Sequence, residues 1–175
     1  MPFVASRLGC AYANAGRIEE ALPYLEQGVE ESAAVGRVAF LALSTTWLAE
    51  GYLFSGRSED AFRLADRAVA LSRQHKERGH EAWARKLLGD IAMREDRRDP
   101  ARAEEHYRAA SALCDELGMK PLRAHCQVGL GSLYGVLGSK ARAHAELIAA
   151  AEQFRAMGMT LWQSRAESVL KGFPQ

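Results

Sequence analysis

Apolar positions recur along the chain at helical spacing. Ile18, Ala21, Leu22, Leu25, Gly28 and Val29 fall on one face of a helix, with Glu19, Glu20 and Glu30 among the polar positions between and after them. The same pattern returns at a fixed distance. Leu8, Leu48, Leu88 and Leu130 are spaced 40, 40 and 42, and each precedes a small residue: Gly9, Ala49, Gly89, Gly131. Four positions after each Leu stand Tyr12, Tyr52, Ala92 and Tyr134. Thirteen positions after it stand Ala21, Ala61 and Ala143. In the third unit this step is 15, from Leu88 to Ala103, so two residues are inserted there. The charged stretch 94–100, ending in Pro100, carries the insertion and reads as a loop.

Turn glycines divide each unit. Gly16, Gly56 and Gly138 close first helices, because glycine adopts the positive φ of a helix C-terminus. Gly36, Gly79, Gly118 and Gly158 fall between units. The pattern predicts helix pairs at 3–15 and 17–35, 39–55 and 58–76, 80–94 and 100–117, and 121–137 and 139–157. A last helix, 160–171, covers the end of the fourth pair. Ser58 and Ser139 are the expected N-caps of the fourth and eighth helices. The chain is thus expected to be one all-α domain over 1–175, with units near 3–36, 38–78, 80–118 and 121–158. Small residues at Gly9, Ala49, Gly89 and Gly131, facing Ala21, Ala61, Ala103 and Ala143, let paired helices approach closely. Tyr12, Tyr52, Phe62, Tyr107 and Tyr134 fill the gaps between pairs, since one pair cannot bury its apolar face alone.

Leu-Gly-x-x-Tyr with Ala nine residues later, as in Leu8-Gly9-x-x-Tyr12…Ala21 and Leu130-Gly131-x-x-Tyr134…Ala143, resembles the tetratricopeptide (TPR) repeat. The period near 40 departs from the usual 34, so both helices of a unit are longer than standard. The resemblance implies a right-handed α-α superhelix. Residues 106–138 and 151–170, with 73–92, are further similar to the C-terminal tails of bacterial signalling proteins that join a class III adenylate/guanylate cyclase-like domain, a STAND-type ATPase and a TPR tail. That similarity implies a regulatory tail of a longer polypeptide, although a small stand-alone protein is the other possibility. It brings no catalytic residue.

Composition and charge narrow the function. Ala, Leu, Glu and Arg outweigh Val, Ile and Thr, a helix composition. Twenty-three Lys and Arg against 22 Asp and Glu give a net charge of +1, so nothing attracts nucleic acid or an anionic membrane. No apolar run reaches 18 residues and no signal peptide opens the chain, which points to a cytoplasmic protein. Cys10, Cys114 and Cys126 read as small buried residues in a reducing compartment.

Candidate chemistry is sparse. No phosphate-loop motif occurs, and the glycines of 129–135 lie on the repeat pattern. His75 and His80 lack zinc-site spacing, His106 and Cys114 have no third ligand, and adjacent His125 and Cys126 point in different directions on a helix. Paired carboxylates such as Glu59-Asp60 and Glu104-Glu105 read as helix-dipole complements. Without a converging polar cluster, no enzyme, cofactor or metal site is expected. The expected function is a non-catalytic protein–protein interaction module. Self-association into a homodimer is the alternative, and a small-ligand or peptide sensor pocket a third possibility. First helices would line a concave groove: Ser6, Cys10 and Ala13 from unit one, Thr46, Glu50, Leu53 and Phe54 from unit two, Trp83, Lys86, Asp90 and Arg94 from unit three, and His125, Val128, Ser132 and Val136 from unit four. The charges are mixed, with no concentrated Lys/Arg clamp, so a peptide ending in acidic residues is not favoured. Trp83 is the expected aromatic anchor of a protein or peptide partner, ahead of Trp47 and Trp162.

Overall fold

The computed structural model describes residues 2–34, 40–94, 96 and 98–173. Among them are nine helices: α1 (Pro2–Asn14), α2 (Ile18–Ala34), α3 (Leu41–Phe54), α4 (Ser58–Gln74), α5 (Arg78–Ala92), α6 (Pro100–Leu117), α7 (Lys120–Val136), α8 (Lys140–Ala156) and α9 (Thr160–Lys171). Each lies within two residues of the helix expected from the repeat. Every helix packs on its chain neighbours. Odd helices also touch the next odd helix, α1 on α3, α3 on α5 and α5 on α7. They therefore form the inner, concave layer, and the even helices form the outer one.

The core is a row of strips rather than one centre. Ala21, Leu25 and Leu48 join units one and two; Ala61, Ala65, Leu87 and Ile91 join two and three. Tyr107, Leu133 and Ala143 join three and four, and Phe154, Ala150 and Ala166 join unit four to α9. Small residues permit these approaches. A Cβ on Gly9 would stand 2.7 Å from the Leu25 side chain, and one on Gly131 would stand 2.6 Å from Leu147. Ala21, Ala61, Ala103 and Ala143 are fully buried on the facing helices.

The repeat tyrosines mark the turns. After a left-handed residue, the next N–H reaches back to the Tyr carbonyl: Arg17 to Tyr12 at 3.0 Å, Arg57 to Tyr52 at 2.8 Å, Ser139 to Tyr134 at 2.8 Å. In unit three the corresponding bond runs from Asp99 to Ala92, 2.9 Å, and spans seven residues instead of five. The two inserted residues lie there. Gly36, and residues 95 and 97 of the inserted loop, fall outside the described residues.

Three local expectations are corrected. Ser58 is the first helical residue of α4, buried behind Arg57, rather than its cap. Ser139 holds the N-cap position of α8 but its side chain makes no capping bond. The side-chain cap that does form is on α6, where Asp99 accepts from the Arg102 N–H at 3.1 Å and Pro100 occupies the first turn. Gly79 lies inside α5, and the left-handed residue between units two and three is Lys76, with φ 58°.

No described helix is long and apolar enough to cross a membrane.

Candidate functional site

A groove of about 610 Å³ runs along the concave layer. Its walls come from Leu53 and Phe54 at the end of α3, Lys86, Asp90, Met93 and Arg94 at the end of α5, and His125, Val128, Gly129 and Ser132 of α7. Tyr107 and Phe154 form the floor, and Trp162, Arg165, Ala166, Ser168 and Val169 of α9 close one end. Leu53, Phe54, Lys86, Asp90, Arg94, His125 and Ser132 are thus brought together.

Other expected groove residues lie elsewhere. Thr46, Glu50 and Trp83 line a separate cleft of about 30 Å³ with Trp47, Lys86 and Leu87. Thr46 is buried there, its hydroxyl donating to the Ala42 carbonyl at 2.9 Å. Ser6 is packed between α1 and α3, donating to Ser44 Oγ at 3.1 Å. It also abuts Gly28, where a Cβ would collide with its hydroxyl. Cys10 is half-buried beside Asn14. Trp83 is absent from the large groove, whose aromatic wall is Trp162. Trp83 is 37% exposed and lies beside Thr46 and Trp47 of α3 rather than across from α7.

The repeat itself points to the residues that were missed. Adding 40 to His125, Val128 and Gly129 gives Arg165, Ser168 and Val169, all in the groove. Rather than only covering unit four, α9 continues the inner layer as a fifth first helix.

A polar cluster lies in the middle of the groove, contrary to the expectation that none converges. Lys86 Nζ donates to Asp90 Oδ2 at 2.5 Å, and the Tyr107 hydroxyl donates to Asp90 Oδ1 at 2.8 Å. Lys86 is only 19 % exposed. Burial opposes its charge, but Asp90 and Glu50 outweigh that and raise its pKa. Burial pushes the Tyr107 phenol well above its usual value, and the adjacent Asp90 adds to this. Burial also raises the Glu50 carboxyl, against the pull of Lys86. The signal was present in sequence as Lys86 and Asp90 four apart on one helix. The missing partner, Tyr107, comes from the neighbouring helix α6.

The His125 ring meets Trp162 edge-on at 4.4 Å between centroids and Phe154 at 5.0 Å. Burial first, and then the Lys86 charge, lower its pKa to about 4, so it is neutral at pH 7. The Arg165 guanidinium lies over the Trp162 ring at 4.6 Å. Among the described residues neither Arg94 nor Arg165 forms an ion pair with a carboxylate. Among them, too, no group of three His, Cys, Asp or Glu is placed to hold a metal ion.

On the outer side, Glu104 does more than complement a helix dipole. It accepts from the Tyr134 hydroxyl at 2.8 Å, from Arg108 at 2.8 Å and from Arg142 at 3.0 Å, tying unit three to unit four. The Arg142 guanidinium lies 3.7 Å over the Tyr134 ring.

No protein-family model matches the chain, and no curated protein does. Solved structures share its fold. Aspartyl phosphate phosphatase F from Bacillus subtilis superposes with a TM-score of 0.78 at 15% identity, over 96% of this chain and 44% of that one. The kinesin light chain nearly identical TPR-like repeats from Podosopora anserina give 0.68 at 18% identity, over 99% and 96%. A STAND signal transduction ATPase with a tetratricopeptide repeat sensor, from Pyrococcus horikoshii, gives 0.74 at 18% identity, over 97% and 26%. The chain spans under half the length of the phosphatase and about a quarter of the ATPase. At these identities the likeness establishes the fold, a TPR-like helical solenoid.

Proposed function

We propose that the chain is a non-catalytic interaction module whose concave groove receives a segment of a partner protein. One observation carries this: seven residues from three successive inner helices, Leu53, Phe54, Lys86, Asp90, Arg94, His125 and Ser132, converge on one groove with an apolar wall. An amphipathic helix suits it best. No Asn or Gln lines the groove to pair with an extended backbone, whereas a helix satisfies its own N–H and C=O groups. The solved neighbours include a phosphatase and an ATPase with a TPR sensor, which supports a regulatory role inside a larger bacterial signalling protein. The similarity to cyclase–ATPase tails narrows it to that setting, with 1–175 acting as one module.

Photo-crosslinking tests this. A benzophenone amino acid at Phe54 or Ser132 should yield one discrete partner adduct, lost in a Leu53→Glu/Val128→Glu variant. The same probe at Ala101 or Glu152, on the outer layer, should yield none. Equal labelling from both faces would remove the groove reading.

Self-association has its own support. Val4 and Leu8 are 60% and 40% exposed and form an apolar pair on the surface of α1. Light scattering on wild type and Val4→Glu/Leu8→Glu decides: a dimer dissolved by the pair supports this second reading.

A further inference from the structure

We propose that the end of the groove closed by α9 is a binding site for a small organic carboxylate with an aromatic or branched apolar body. This rests on the reading of the groove as the binding surface and adds a ligand to it. The whole groove, about 610 Å³, lies within the range of small-ligand sites, as does its mixture of apolar walls with a few converging polar groups, and the α9 end is one part of it.

Charge decides the sign of the ligand. Lys86 donates to Asp90, which also accepts from Tyr107, and Glu50 acts on the same ammonium, so this cluster leaves no unbalanced positive charge. His125 carries no charge at pH 7. Arg94 and Arg165, both exposed, are in the lining and form no ion pair among the described residues. A guanidinium binds a carboxylate through two parallel N–H donors, so a carboxylate entering the groove meets two such forks.

The walls decide the rest. Phe54, Met93, Trp162 and Val169 present apolar surface in the same lining. Arg165 lies over the Trp162 ring, so a carboxylate held there places its apolar body against the aromatic wall. A free acid suits this end better than an extended peptide. An extended peptide would bring backbone N–H and C=O groups, and no Asn or Gln in the lining answers them.

Calorimetric titration and thermal melting of the whole chain test the site. The probes are phenylacetate, indole-3-acetate and 4-methylpentanoate, with phenylacetamide and phenethylamine as neutral and cationic counterparts of the first. At least one acid should raise the Tm and bind in the micromolar to millimolar range, at least tenfold tighter than the amide or amine. Arg165→Ala and Arg94→Ala should each weaken it about tenfold, and Val169→Trp, which fills the cavity, should abolish it in a chain that still melts cooperatively. Arg123→Ala, in a different cavity, should leave it unchanged. Equal binding of amide and acid overturns the proposal, as does unchanged affinity in both arginine variants, or no binding of any acid at 10 mM. If no acid binds while crosslinking from Phe54 and Ser132 persists, this site fails and the partner groove stands. If acids bind and crosslinking is absent, the reverse holds.

Discussion

The ring of Tyr107 lies between Gly89 and Gly129, and its hydroxyl donates to Asp90 at 2.8 Å. A Cβ on Gly89 would stand 2.6 Å from the ring and one on Gly129 2.5 Å. One outer-layer side chain thus reaches through the inner layer, between α5 and α7, to the groove.

Gly129→Ala sets two effects against each other. Alanine is favoured over glycine in a helix by about 1 kcal/mol. Tyr107 cannot yield, because Gly89 confines it from the other side, and overpacking costs about 1–3 kcal/mol. Packing should win, with net destabilisation on the order of 1 kcal/mol by urea unfolding. Tyr107→Phe keeps the ring but leaves Asp90 one donor short, and should cost about 1–3 kcal/mol. Stabilisation by Gly129→Ala would mean the ring moves freely.

Ala61→Leu and Ala143→Leu add bulk at positions with no exposed surface, where paired helices touch. Each should cost about 1–3 kcal/mol. Differential scanning calorimetry reads this as a lowered Tm, and an unchanged Tm in both would contradict the register.

Lys76 occupies the left-handed region at φ 58°, at a junction between units, where the following junctions place Gly118 and Gly158. A side chain there costs roughly 1–2 kcal/mol, partly offset by the greater unfolded-state freedom of glycine. Lys76→Gly should therefore stabilise the chain by about 0.5–1 kcal/mol in denaturant titration.

His125 gives a pH dependence. Its folded pKa of about 4 lies below the ordinary imidazole value of 6.5, so the unfolded chain binds the proton more tightly. Stability is complete above pH 6.5 and falls as pH drops toward 4, by an amount on the order of 3 kcal/mol for this group. His106, also lowered by burial, acts in the same direction. His125→Gln should flatten the fall in unfolding free energy between pH 7 and 5 without removing it. An identical slope in the variant would refute the assignment.

The chain closes on itself beyond α9. The Phe173 ring covers Gly135, where a Cβ would stand 2.4 Å away, and its carbonyl accepts from His144 Nε2 at 2.6 Å. Phe173→Ala should cost about 1–2 kcal/mol. Hydrogen exchange should then quicken in α9 before α7 or α8.

Helix positions were legible because the repeat writes them five ways: Leu, small residue, Tyr, turn Gly and Ala at constant offsets. Each has a local cause, close helix approach or a positive-φ turn, that depends on near neighbours in sequence. The two-residue insertion was legible for the same reason, as a broken offset that reappears as a seven-residue hydrogen bond from Asp99 to Ala92. Caps were less so, since Ser58 and Ser139 satisfy the composition of a cap without its geometry.

The sequence by itself determined the helices, their pairing and the inner face carrying Leu53, Lys86, Asp90, His125 and Ser132. Periodicity fixes which side of a helix a residue occupies. Only the tertiary structure decided that Trp83 leaves the groove while Trp162 and Arg165 enter it, and that Tyr107 completes a polar cluster with Lys86 and Asp90. Those outcomes depend on how far each helix turns against the next, and on side chains crossing between layers, which no spacing along one helix records.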